Sequence, residues 1–137
     1  MEATVYTIPQ EQRSPLSDNE LARFRALITE KIEKANQEVE TLKAYIEDMR
    51  ENDDADSSSN AHHMADVATD HESMEMYYAL IARTRNYIRQ LQRAQIRIDN
   101  KTYGICRATG LPIPKGRLLA VPHTRYSLEA KLKGLDK

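Results

Sequence analysis

One cysteine, four histidines and a run of acids are the groups from which this chain could build chemistry. His62, His63, Asp66, Asp70 and His71 lie close together. His63 to Asp66 and Asp66 to Asp70 have helical spacing, which would bring donors to one side of a helix. A transition metal could be held by such a set. Nothing around it would enclose a metal or orient its ligands, so the cluster reads as a solvated polar turn. Cys106 is the sole cysteine, which excludes an internal disulfide. It reads as a small buried hydrophobe rather than a reactive or metal-bound thiol. There is no Gly-rich phosphate loop, no Ser/His/Asp order and no recognisable buried carboxylate pair. The chain is therefore not expected to be an enzyme.

The elements that must position these groups are long helices. The 137 residues are 40% hydrophobic and 30% charged, with only 6% aromatic and no Trp. That is little material for a deep globular core, but it suits helices sharing a narrow apolar seam. Pro9 and Pro15 mark residues 1–16 as an extended, loosely held arm. Ser17 or Asp18 can cap a helix with Glu20 in its first turn. Apolar residues then recur in steps of three and four: Leu21, Phe24, Ile28, Ile32, Ala35, Val39, Leu42, Ile46, Met49. A helix of about 33 residues would be about 50 Å long.

The pattern stops at Asn52, and the polar run to Asn60 is the expected reversal. A second seam follows at Met74, Tyr77, Ile81, Thr84, Ile88, Leu91, Gln95 and Ile98, with Thr84 and Gln95 weakening it. Asn100 and Lys101 end it, and Gly104 follows. Two such helices joined by a short turn should pair antiparallel within one chain. The last third is turn-rich, with an extended piece expected over 117–122 and a final helix capped by Thr124. The fold class is mostly α: a long antiparallel coiled-coil hairpin at 17–102, its tip near 52–70. A small finger-like module at 103–137 (a short β-hairpin plus a helix) completes it. That module is too small to fold alone and must pack on the helix ends.

Charge is segregated. Residues 44–76 hold ten acids and one base, Arg50, whereas from Arg83 onward there are thirteen bases and three acids. The net charge is only -1, yet such a separation can orient a partner.

The run Tyr103-Gly104-Ile105-Cys106, followed by Gly110, Ile113-Pro114, Arg117-Leu118, Ala120 and Pro122, resembles the C-terminal finger of the DksA/TraR family. In that family the finger sits at the base of a long antiparallel coiled coil. The resemblance covers about residues 18–133. It implies four zinc positions, which fall here on Cys106, Thr109, Ser127 and Ala130. One thiol, two hydroxyls and a methyl do not make a structural zinc site, so no zinc is expected. Packing by Tyr103, Ile105, Leu118, Val121, Leu128 and Leu132 should replace it.

The resemblance further implies insertion of the coiled-coil tip into the secondary channel of RNA polymerase, where tip acids act near the catalytic magnesium. Of the family's D-x-x-D-x-A tip, Asp66 and Ala68 are kept and His63 replaces the first acid. Arg83 falls at the family's basic contact with the channel rim. Members often bind ppGpp where coil, finger and polymerase meet. Lys131 fits one basic position there, but Gln90 and Val121 stand where bases belong, so ppGpp is a doubtful ligand.

The expectation is therefore a monomeric, cytoplasmic transcription regulator that binds RNA polymerase without sequence-specific DNA contacts and without a membrane span. The alternative is a coiled-coil adaptor or oligomerisation protein. A direct DNA binder ranks third, because no recognition motif accompanies the basic last third.

Overall fold

The computed structural model describes residues 13–55 and 61–136, with the helical stretches 52–55 and 61–70 described as backbone alone. Four helices follow in order: α1 (Asp18–Ala55), α2 (Ala61–Asp99), α3 (Lys115–Ala120) and α4 (Leu128–Leu132). The chain divides into two compact units. One comprises residues 1–31 and 90–137, and the other residues 32–89. No helix among the described residues is long and apolar enough to cross a membrane.

Ser17, rather than Asp18, caps α1. Its N–H donates to Glu20 Oε1 and its Oγ accepts from the Glu20 N–H, both at 3.2 Å, forming a reciprocal capping box. The helix continues past Asn52 to Ala55, and α2 begins at Ala61, ahead of its first seam residue. Once a long helix exists, each added residue gains a hydrogen bond without a new nucleation cost. Polar residues can therefore extend it beyond its packed stripe.

In the unit spanning 32–89, α1 and α2 pack as an antiparallel pair. Ala35, Val39 and Ile46 bury against Ile81 and Ile88, flanked by Ile32, Leu42, Met74, Tyr77 and Tyr87. The rings of Tyr45 and Tyr77 lie 5.7 Å apart, tilted by 43°. Arg50 donates to the Tyr78 hydroxyl, and its guanidinium sits 6.0 Å from that ring's centre. These contacts are those of an intramolecular seam.

The other unit joins the start of α1 and the end of α2 to the finger. Leu21, Phe24 and Ile28 bury with Leu91, Ala94 and Ile98. The seam therefore passes through Ala94 rather than the expected Gln95. Gln95 lies beside it, its Nε2 donating to Thr29 Oγ1 at 3.0 Å. Arg25 pairs with Asp99, and Lys101 with Asp18 at 3.3 Å. α2 ends in a left-handed residue, Lys101, at φ 60°. Thr102 N–H donates to Arg97 O at 2.9 Å and Lys101 N–H to Ile98 O at 3.0 Å, the paired bonds of a Schellman stop.

The finger packs on these helix ends, as its scant apolar content required. Tyr103 is fully buried, its ring 5.5 Å from Phe24 and its hydroxyl donating to Pro122 O at 2.8 Å. Gly104 turns the chain at φ 91°, where a Cβ would touch Leu16 and Leu118 at 3.5 Å. Leu16 is itself buried, and Ser14 N–H donates to Lys101 O at 2.7 Å, so residues just before α1 are tied to the finger's root. Residues 1–12, the remainder of the expected arm, lie outside the described residues.

Several local expectations are corrected. Among the described residues there is no β-strand; the hairpin is reduced to one antiparallel bridge, Ile105 to Pro112. The stretch expected to be extended over 117–122 is largely helix α3. Pro114 precedes it, with a φ already near helical, and Pro122 stands just beyond its end. Ser127, not Thr124, caps α4, accepting the Ala130 N–H at 3.1 Å. Thr124 is engaged instead with the backbone of Tyr126. Leu128 and Leu132, expected in the core, are 52% and 78% exposed. Their places are taken by Ile113, Cys106 and Ala130, all buried. A five-residue helix can turn only one face inward, and Ala130 allows the closer approach.

Candidate functional site

The hairpin-end residues come first. His63, Asp66 and Ala68 lie in the first turns of α2 by backbone, and their side chains lie outside the described residues. His71, further along, sits 3.4 Å from Glu75 one helical turn away, an exposed pair. Arg83 is exposed on α2, in the unit spanning residues 32–89. No group of three or more metal-binding side chains occurs among the described residues.

The four finger positions are brought together. Cys106 is 1% exposed, and its sulfur accepts the Ser127 N–H at 3.4 Å. Burial pushes the thiol up, but hydrogen bonds from Thr109 and Ser127 outweigh it and bring its pKa from 9.0 down to about 6. Thr109 Oγ1 also accepts the Leu111 N–H at 3.2 Å, and the Ser127 hydroxyl caps α4. Ala130 fills the fourth position with a buried methyl group. These residues do not fit a four-thiolate zinc site: one soft donor is present, both hydroxyls accept from backbone N–H groups, and the last position has no donor atom. What a metal would crosslink is joined here by hydrogen bonds between the loop at 106–110 and the start of α4.

Beside this junction lies a cavity of about 360 Å³. Arg93 and Arg97 reach it from α2, Arg107 from the first finger loop, Arg117 from α3 and Arg125 from the loop before α4. Lys131 and His123 add to the wall, and Asp136 is the one acid lining it. Arg107 N–H donates to Arg125 O at 2.7 Å, which sets these two residues side by side. Arg97 donates to His123 O at 3.3 Å and Arg117 Nε to Tyr126 O at 3.5 Å, so both guanidinium groups are anchored on backbone carbonyls. Burial, with help from Arg125, lowers the Arg97 pKa to about 10. Burial also pushes His123 down, reinforced by Arg97, Arg117, Lys31 and Lys131. Burial pushes the Tyr103 hydroxyl up, partly countered by Arg97.

Sequence reasoning weighed Gln90, Val121 and Lys131 in this region, and all three line the cavity. It did not assemble the five arginines around them. Their signal was present only as an excess of bases in the last third, which does not say which of them converge.

Residues 101–133 match the family described as prokaryotic dksA/traR C4-type zinc finger. General stress protein 16O of Bacillus subtilis is 40% identical over 47 residues, which is 34% of this chain and 29% of that protein. The uncharacterized protein YteA of the same organism is 37% identical over 65 residues, 47% of this chain and 27% of that protein. The matches thus span under a third of either relative. The structure of transcription factor DksA2 from Pseudomonas aeruginosa superposes with a TM-score of 0.72 at 24% identity, covering 85% of this chain and 83% of that one.

Proposed function

Taking the chain as one of the DksA/TraR type, in its finger sequence and in its fold, we propose that it is a transcription regulator that binds RNA polymerase. In this reading the turn end of the α1–α2 hairpin enters the secondary channel and modulates initiation without reading DNA sequence. The observation that carries it is the likeness of fold over 85% of the chain to a transcription factor, joined to the finger match. The charge pattern supports it: an acidic hairpin end suits a channel that manages magnesium.

The roles follow from position. Asp66 is the acting carboxylate, Ala68 is the other retained residue of the tip motif, and His63 stands where a second acid would be. Arg83 supplies a charged contact along α2. The protein performs no chemistry itself; its carboxylate biases a partner's. Its finger folds without zinc, and metal analysis of the purified protein tests that point directly. With Gln90 and Val121 in place of bases, a response to ppGpp on polymerase is weak or absent.

Asp66→Asn should leave polymerase binding close to wild type and remove most of the regulatory effect in a reconstituted transcription assay. Regulation of normal strength by this variant would end the tip assignment.

A further inference from the structure

The finger shows more apolar surface than its small core explains. Leu111, Leu128 and Leu135 line a groove of about 380 Å³ together with Pro112 and Pro114, and these leucines are 63%, 52% and 48% exposed. Leu132, on the same short helix as Leu128, is 78% exposed. Single exposed leucines are ordinary, but several gathered on so small a module mark a surface that something covers. The polar groups in the groove wall are already engaged. Glu129 pairs with Lys133 at 3.0 Å, and the hydroxyls of Thr109 and Ser127 accept backbone N–H groups. What fits the groove is therefore a run of apolar side chains.

The chain delivers such a run to the groove's edge. Leu16 lies against Gly104, whose carbonyl accepts the Ile113 N–H at 2.7 Å, and Ile113 stands between the two prolines of the groove. Lys115, which follows Pro114, pairs with Glu20 in the first turn of α1. Twelve residues precede Arg13, and their apolar part is Val5-Tyr6-Thr7-Ile8-Pro9. Pro9 biases Ile8 toward extended backbone. An extended chain covers about 3.4 Å per residue, so Pro9 can lie up to about 14 Å from Arg13 and Val5 up to about 27 Å. Charge favours the same pairing: residues 1–12 carry two acids and no base, whereas residues 101–137 carry eight bases and two acids. A segment tethered so near also meets the groove at a far higher effective concentration than a separate molecule does.

We propose that residues 5–9 of this chain seat in the groove and cover Leu111, Leu128 and Leu135. The segment before α1 is then a strap across the finger. It completes the core of a module too small to complete its own, and it keeps those leucines from drawing a second copy. The strap needs neither polymerase nor the hairpin end, so it stands or falls separately from the proposed function.

The test is nuclear magnetic resonance of the full chain, with labelled methyl groups and at low protein concentration. Nuclear Overhauser contacts are expected from Val5, Tyr6 and Ile8 to the methyl groups of Leu111, Leu128 and Leu135. Tyr6→Leu keeps an apolar side chain and removes the ring, so those leucine resonances should shift while the circular dichroism spectrum stays that of the wild type. The full-chain variant V5S/Y6S/I8S should lose the contacts, and its fluorescence with a hydrophobic dye should rise as the groove is uncovered. Absence of the contacts in the wild type, or leucine resonances that do not move in Tyr6→Leu, would overturn the strap and leave the groove to another protein. Contacts found only between labelled and unlabelled chains in a mixed sample would overturn it in favour of a second copy.

Discussion

At the scale of single residues, the four finger positions are joined by hydrogen bonds and close packing. Cys106 keeps its sulfur but turns it into a hydrogen-bond acceptor for Thr109 and Ser127. Because its folded pKa of about 6 lies below the unfolded 9.0, the folded state holds fewer protons between those values. The stabilising contribution is complete above the unfolded pKa and is lost as pH falls through the folded one. Thr109→Val should raise the thiol pKa toward its ordinary range, read from thiolate ultraviolet absorbance, and flatten the stability-against-pH profile between about pH 6 and 9. An unchanged thiol titration would remove Thr109 from the account. The residue type at each of these positions was legible in the sequence. The depressed thiol was not, because it depends on which hydroxyl and backbone N–H groups the fold turns toward the sulfur.

At the scale of elements, the helices were readable because periodicity reports burial directly. The α1 seam appeared nearly residue for residue. The error between Gln95 and Ala94 shows the limit: both fit a three-four alternation, and packing buried the smaller side chain. The short helices were less legible. Over five or six residues there is no period to read, and Pro112, Pro114 and Pro122 signal breaks without saying what lies between them. Helix ends depend on single residues, and the end of α2 is suboptimal. Lys101 occupies a left-handed position that disfavours a side chain. Lys101→Gly should stabilise the protein by about 1 kcal/mol, measured by urea denaturation, after allowing for the flexibility glycine adds to the unfolded chain. The accompanying loss of the exposed ion pair to Asp18 should matter little. A destabilised variant would mean that this contact outweighs the backbone strain.

At the scale of the whole molecule, both seams are satisfied inside one chain. Ile46 and Ile81 bury in one unit, and Ile28 and Leu91 in the other. A protein that completes its own coiled coil needs no second copy, so the midpoint of thermal unfolding should not change over about a hundredfold range of protein concentration. A midpoint that climbs with concentration would favour the adaptor reading, with helices shared between chains. The hairpin pairing was accessible from the sequence because the hydrophobic pattern reports burial, whereas residues 56–60 of the expected reversal lie outside the described residues. The cavity was not, since its five arginines come from four stretches of chain that only the folded finger brings together.

The buried sulfur has one more consequence. This chain has a single thiol, and folding leaves it 1% exposed. An external disulfide reagent can consume it only in moments when the loop at 106–110 parts from the start of α4. The pace of that reaction, with reagent in excess, therefore counts how often the finger opens, and the protein carries its own clock for that motion.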